Sequence, residues 1–199
     1  MVSPAIIIAL LLSLTALLTG TRGLLGLGVT VAILSLMALF FFRDPERHPP
    51  ADPRAVVSPA DGRVIVAGTL PDGRKHIAVF LSIFDVHVNR TPIAGEATKI
   101  IITPGAFFHA GSLRAAGENA RVDVEAISSF GPVAWRQVSG AIARKISCRL
   151  KTRDTFQTGD RFGLIYFGSR MDIFLPPSAA LAITKDDRVL AGESVIATF

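Results

Sequence analysis

The first 42 residues contain a single charged side chain, Arg22, which separates two long apolar runs. The runs cover residues 4–19 and 24–42, and the second matches the length of roughly 20 residues with which a helix spans a bilayer. The short polar break at 20–23 is typical of a tight turn. We therefore predict a hydrophobic helical hairpin that anchors residues 1–42 in a membrane. A cleaved signal peptide would require a basic region ahead of its apolar stretch, and the sequence before the first run has none.

Residues 43–55 are rich in proline and predict a linker, because proline cannot continue a helix. Arg43, Arg47 and Arg54 follow the second apolar run. Since the cytoplasmic flanks of membrane helices collect lysine and arginine, we expect the rest of the chain on the cytoplasmic side of the cell membrane. The single cysteine, Cys148, allows no internal disulfide and fits a reducing compartment.

Residues 56–199 predict one β-rich domain that is large enough to bury a core. Short apolar runs bounded by glycine, proline and aspartate favour a compact β-sandwich or barrel-like arrangement. Both a strand and a helix fit 141–150, and 110–116 is a weak helix candidate. Asp61-Gly62 predicts a hairpin turn between the first two strands. The predicted strands are 56–57, 63–66, 76–81, 99–103, 122–127, 162–167 and 171–175.

The charge of the chain indicates which partners to expect. The formal net charge is +5 and the mean hydropathy is +0.47. A basic domain held at a membrane favours anionic lipid surfaces. The lysines and arginines form no stripe and the sequence offers no aromatic platform, so we expect no nucleic-acid partner. We also expect no metal site, and we leave a homo-oligomer open.

Three residues are candidates to carry chemistry: Asp61, His87 and Ser169. Ser169 directly follows Gly168, whose carbonyl is unshielded by a side chain and whose backbone tolerates strained conformations. A serine hydroxyl attacks a carbonyl once a base takes its proton, and neutral histidine is the usual base near neutral pH. A carboxylate can orient that histidine. Each residue also has a structural explanation, since Gly-Ser and Asp-Gly pairs commonly form turns and a lone histidine in an apolar run commonly belongs to the core.

Four segments, in this order along the chain, resemble the phosphatidylserine decarboxylase proenzyme family in its short, compact type. They are Phe-Phe-Arg-Asp-Pro at 41–45, Ser-Pro-Ala-Asp-Gly at 58–62, Phe-Asp-Val-His-Val-Asn-Arg at 84–90 and Gly-Leu-Ile-Tyr-Phe-Gly-Ser-Arg-Met-Asp at 163–172. The resemblance implies a lyase of phospholipid biosynthesis. This carboxy-lyase would convert phosphatidylserine, a membrane lipid, to phosphatidylethanolamine.

The resemblance also implies that the chain is a zymogen, which cuts its own backbone between Gly168 and Ser169. Ser169 matches the nucleophile of the autocatalytic cleavage. His87 matches the base, and Asp61 matches the acid that orients the base.

The implied products are a β chain, 1–168, and an α chain, 169–199, which stay associated. Ser169 becomes a covalent pyruvoyl group, the cofactor of the reaction. Its ketone carbonyl reacts with the amine of the serine headgroup and withdraws electrons, which lets CO2 leave. His87 is then expected to supply the proton that replaces CO2.

The sequence departs from the family at two places. Phe84 stands where some members carry a second histidine, and 117–121 stands where the short type often has an Asn-Glu-Arg-Asn-like segment, so the roles of both places are open. Arg90 and Arg170 are candidates to hold the lipid phosphate. Two alternatives remain: the same reaction on an archaeal ether lipid, and a membrane-tethered, non-catalytic hammerhead or lipoyl-like β domain. A lipoyl carrier would need a lysine at a hairpin tip, and 138–143 offers none.

Overall fold

Most of the chain is described by a computed structural model, which divides it into two compact units. The units are Met1–Arg43 and Asp44–Phe199. The described residues are 11, 14–15, 18, 22–141, 145–166 and 168–199.

The first unit contains helix α1, Arg22–Phe41. Within the described residues this helix starts at Arg22, inside the break where the sequence predicted a turn. The first apolar run, 4–19, falls almost wholly outside the described residues, so the helical hairpin stays a prediction. Within the described part of the chain, no helix is both long and apolar enough to cross a membrane.

The second unit is built mainly from strands, which confirms the prediction of a mainly β domain. Its short helix α2, Leu113–Glu118, begins after Ser112, whose hydroxyl accepts a hydrogen bond from the Ala115 N–H at 3.3 Å, as an N-cap does. The strands are β1 (Ala55–Val57), β2 (Gly62–Thr69), β3 (Lys75–Leu81), β4 (Val88–Arg90), β5 (Gly95–Thr103), β6 (Arg121–Ser128), β7 (Gly131–Val138), β8 (Ile146–Cys148), β9 (Thr155–Phe156), β10 (Arg161–Ile165), β11 (Ser169–Leu175), β12 (Ala180–Leu181), β13 (Arg188–Val189) and β14 (Val195–Thr198).

The strands form three antiparallel sheets. The largest sheet has the order β13-β2-β3-β11-β7-β6-β5-β9, and the two smaller sheets have the orders β1-β14-β12 and β4-β10-β8. One hydrophobic core joins side chains from all three sheets, including Trp135, Met171, Ile196 and Phe162. The Trp135 ring meets Phe162 edge to face with 5.6 Å between the ring centroids.

Several sequence expectations require correction. The Asp61-Gly62 pair does not close a hairpin, because β1 pairs with β14 whereas β2 pairs with β3 and β13. Strand β7 was missed, since Pro132 and the polar Arg136 hide its alternating buried residues. The ambiguous 141–150 contains only the short strand β8, with 142–144 outside the described residues.

The proline-rich segment after α1 packs on the β domain. We call residues 44–50 the strap. Arg47 of the strap binds the Asp61 carboxylate with Nη2 to Oδ2 at 2.9 Å, and Asp44 accepts a hydrogen bond from Arg90 at 3.1 Å. These contacts make the first half of the predicted linker part of the folded domain.

Candidate active site

The three candidate residues lie at one end of the largest sheet. Along one row of this sheet, Arg63 pairs with Phe80, Phe80 with Arg170, and Arg170 with Val138. Asp61 lies two residues before the first member of this row, and Ser169 one residue before the third. The loop that leads to His87 leaves β3 just beyond Phe80. The topology therefore brings all three segments to the same edge of the fold.

Two features distinguish the Gly168-Ser169 peptide bond: the backbone conformation of the glycine and the environment of the serine hydroxyl. Gly168 has φ +64°, in the left-handed region that residues with side chains rarely adopt. Ser169 opens β11 and is fully buried, and in the described part of the chain its hydroxyl makes no hydrogen bond. Leaving a buried hydroxyl unpaired costs roughly 1–3 kcal/mol, and a hydroxyl without a partner is available as a nucleophile.

The ring orientation of His87 follows from its backbone neighbours. Its Nδ1–H donates a hydrogen bond to the carbonyl of Asp85 at 2.8 Å, which in the neutral ring leaves the lone pair on Nε2. The His87 carbonyl accepts a 3.4 Å hydrogen bond from the N–H of Ile165, four residues before Ser169. This bond ties the fully buried His87 to the end of β10, which lies three residues before Gly168.

The buried Asp61 carboxylate is held by several donors. Arg47 Nη2 binds its two oxygens at 2.9 and 3.2 Å, and the N–H of Ala191 donates to Oδ1 at 2.7 Å. Burial raises the pKa of Asp61, against the opposing hydrogen bond from Ala191 and the charge of Arg47, and the nearby Asp85 carboxylate raises it further. The expected role of Asp61 toward His87 stays a prediction, since the Nδ1 hydrogen bond of His87 goes to the Asp85 backbone.

Neither arginine proposed for the lipid phosphate is exposed. Arg170 lies 3 % exposed and binds Asp172, with Nη2 to Oδ1 at 2.7 Å, and His76 Nε2 lies 2.7 Å from the same oxygen. Burial alone would raise the pKa of Asp172, but the hydrogen bonds from His76 and Arg170 and the charge of Arg170 hold it below its usual value. Arg90 is also buried and binds the strap. Both guanidinium groups are therefore occupied by partners within the β domain.

Other polar residues near this edge were missed by the sequence analysis. Gln137 of β7 donates an Nε2 hydrogen bond to Asn89 Oδ1 of β4 at 2.8 Å, which links two of the sheets. Ser139 and Gly140 follow β7, and Asn119 binds the Ser139 carbonyl. The alternation of Val133, Trp135 and Gln137 is the sequence signal that indicates β7. The hydrogen bonds of Gln137 and Asn119 join residues far apart in the chain, so no local pattern predicts them.

The fold and this site describe a class of protein: a β domain with a buried serine after a left-handed glycine, and a buried histidine whose carbonyl is hydrogen-bonded to the end of the strand that precedes this glycine. The profile of the phosphatidylserine decarboxylase family matches residues 34–197. The phosphatidylserine decarboxylase proenzyme of Desulfotalea psychrophila is 44 % identical over 171 residues, 82 % of this chain and 80 % of that protein. The proenzymes of Pelobacter propionicus and Chlorobium phaeobacteroides are 42 and 38 % identical, over 94 and 92 % of this chain and 90 and 92 % of theirs.

The chain therefore belongs to the phosphatidylserine decarboxylase family. The family, expected from four short segments, is confirmed over most of the chain. Membership in a family of carboxy-lyases also favours an enzyme over the non-catalytic carrier domain.

Proposed function

We propose that the chain cuts itself between Gly168 and Ser169 and then decarboxylates phosphatidylserine to phosphatidylethanolamine. The observation that carries the proposal is the fully buried, unbonded Ser169 hydroxyl directly after a left-handed glycine, within the described residues. The names of the relatives, which are proenzymes of this decarboxylase, support the same reaction.

The cleavage needs only groups of the chain and one water molecule. His87 accepts the hydroxyl proton, Ser169 Oγ bonds to the Gly168 carbonyl carbon, and the bond from this carbon to the Ser169 nitrogen breaks. The nitrogen takes up the proton, and an ester joins the two residues. Loss of the Ser169 Cα proton, which finally departs with the ammonia as ammonium, then breaks the Cβ–Oγ bond and leaves Gly168 as a carboxylate. The new terminal enamine takes up water and loses ammonia, which leaves a pyruvoyl group.

The pyruvoyl group supplies an electron-withdrawing carbonyl for loss of CO2. The buried Ser169 hydroxyl and the glycine before it fit the formation of such a group. We propose that His87 donates the proton that replaces CO2. Its Nδ1–H is bound to the Asp85 carbonyl, so the transferred proton is carried by Nε2. Burial of His87 and Ser169 keeps bulk water from the reacting atoms.

The two fragments stay together because the shorter one supplies a central strand. β11 pairs on one side with β3 and on the other side with β7, and both partners lie in the longer fragment 1–168. The fragment 169–199 also supplies β14, which pairs with β1. We expect the cut protein to remain one folded unit until it is denatured.

A membrane location follows from the proposed lipid substrate and from the apolar N-terminal sequence. We propose that the β domain works on the cytoplasmic side of the cell membrane, as the arginines after α1 indicate. The headgroup chemistry is the same on ester and ether lipids, so the tails of the substrate are left open, as is a homo-oligomer.

The decarboxylase activity is tested with vesicles that contain phosphatidylserine. The purified protein is expected to convert the serine lipid to the ethanolamine lipid, followed by lipid mass spectrometry. Pretreatment with borohydride, which reduces the ketone, is expected to abolish conversion, with untreated and mock-treated protein as controls. Full conversion after borohydride would contradict a pyruvoyl-dependent reaction.

The role of Asp61 predicts a pH effect of Arg47→Ala. The Arg47 charge lowers the pKa of Asp61 against burial, so its removal raises that pKa further. If the ionised Asp61 carboxylate supports His87, self-cleavage slows as the pH falls through the pKa of Asp61. In Arg47→Ala this pKa is higher, so the cleavage rate should begin to fall at a higher pH than in the original chain. Cleavage rates are measured across pH on freshly synthesised chain.

The matched control is Arg54→Ala, which removes an exposed arginine that pairs with the exposed Asp52. Its profile should coincide with that of the original chain, and Arg47→Lys, which keeps the positive charge, should show a smaller shift than Arg47→Ala. If folded Arg47→Ala shows the same pH dependence at low pH as the original chain, the ionisation of Asp61 has no role in cleavage.

A further inference from the structure

We propose that Gly140 is a positioning residue for the Gly168 carbonyl, and that Asn119 anchors it there. The proposal rests on the proposed self-cleavage. A side chain placed on Gly140 would overlap the carbonyl oxygen of Gly168, and its Cβ would lie 2.9 Å from the carbonyl carbon. The hydrogen that glycine carries in that direction therefore points at the oxygen that becomes negative when Ser169 attacks.

Space, and not backbone conformation, explains why residue 140 is a glycine. The glycines with positive φ include Gly168, but Gly140 is not among them. Other residues could adopt its backbone conformation, yet even alanine would collide with the bond that is cut. Because Gly140 is buried and Ala110 Cβ lies 3.5 Å from the same Cβ position, an added methyl group has little room to turn away.

The segment that contains Gly140 is fixed from behind by Asn119. Asn119 Nδ2 donates hydrogen bonds to the carbonyls of Ser139 at 2.7 Å and Phe108 at 2.8 Å. Its Oδ1 accepts from the Phe108 N–H at 2.8 Å, and the N–H of Ser139 donates to Ala120 at 3.0 Å. Asn119 is fully buried, so these bonds are shielded from water. This gives a role to the segment 117–121, which the sequence left open.

Strand β11 and the residues that follow β7 thus define the position of the Gly168 carbonyl. β11 holds Ser169 through its pairing with β3, and the residues after β7 hold the space into which the Gly168 oxygen projects. Attack by a hydroxyl depends on the alignment of oxygen and carbonyl, and a displacement of about 1 Å can reduce the rate about 100-fold. A methyl group at residue 140 must cause a shift of this kind, in the carbonyl or in the segment itself.

The test compares three glycine variants by the rate of self-cleavage and by the melting temperature. Gly140→Ala should slow cleavage about 100-fold or more. Gly68→Ala is the open-space control, since its Cβ would have no neighbour within 4 Å. Gly95→Ala is the collision control, since its Cβ would overlap the Ile127 carbonyl oxygen in the neighbouring strand, at the far end of β5.

We expect Gly68→Ala to cut normally, and Gly95→Ala to melt at a lower temperature and still cut. Normal cutting by Gly140→Ala would overturn the proposal. So would an equal loss of cleavage in Gly95→Ala, because stability alone would then explain the effect. If Gly140→Ala is insoluble, Asn119→Ala provides the test. At a melting temperature similar to that of Gly95→Ala, Asn119→Ala should leave more uncut chain. If it cuts as fast as Gly95→Ala, Asn119 does not position Gly140.

Hydroxylamine identifies the step that is lost. It cuts an ester between residues 168 and 169, and we expect it to leave Gly140→Ala uncut because the ester does not form. Cutting of this variant by hydroxylamine would place the defect after the ester and overturn the proposal. The original chain separates this inference from the proposed function: if that chain is never cut, self-cleavage itself is wrong, whatever the glycine variants do.

Discussion

Ser169→Ala is expected to leave the chain in one piece and without decarboxylase activity. The methyl group has no atom that can attack the Gly168 carbonyl, so no ester forms and no pyruvoyl group arises. The fold should persist, because alanine fits the same buried position and removes a hydroxyl that makes no hydrogen bond with the described residues. Denaturing gels and mass spectrometry should show the uncut chain, and serine-lipid conversion should fall to the level of vesicles alone.

Ser178→Ala is the matched control for this variant. Ser178 lies in the same 169–199 fragment but is exposed in a turn, so its loss should change neither cleavage nor activity. Two fragments from Ser169→Ala, cut at the usual place, would show that the hydroxyl of Ser169 is not the nucleophile.

His87→Ala is expected to block or greatly slow the cut. General-base catalysis commonly contributes about 100- to 10,000-fold, and the ring is held so that Nε2 is the nitrogen that takes the proton. Freshly synthesised chain should therefore stay uncut over the time in which the original chain is fully processed. Added imidazole should restore part of the rate if it enters the space left by the ring.

His48→Ala is the control, because the His48 side chain is exposed in the strap. A normal cleavage rate in folded His87→Ala would mean that another group takes the proton. Loss of the fold is recognised by the melting temperature, and in that case His87→Gln, which is closer in size, repeats the test.

The architecture of the domain could be predicted only in part from the sequence. Runs such as 76–81 and 171–175 are apolar enough to identify β3 and β11. The strand pairing was harder, because the Asp61-Gly62 turn signal is local whereas the partner of β1 is the last strand of the chain. Gly62 instead permits a close approach to β3, since a Cβ there would overlap the Phe80 carbonyl oxygen.

Candidate site residues could be proposed from the sequence where a motif suggests chemistry, and not where residues far apart in the chain build the site. Gly168, Ser169 and His87 stand out as candidate acyl donor, nucleophile and base, and strand pairing brings their segments to one edge. Gly140 has no motif of its own, since its contact depends on how the end of β7 meets the start of β11. Arg170, a candidate for the lipid phosphate, is buried against Asp172, and the sequence around it does not show this burial.

The mass of the purified protein is the most direct test of the central claim that Ser169 breaks the bond before it. We expect two masses under denaturing conditions, one for residues 1–168 and one for residues 169–199 with a pyruvoyl group at its start and no free amino terminus. A single intact chain of 199 residues that converts serine lipid at full rate would contradict the account.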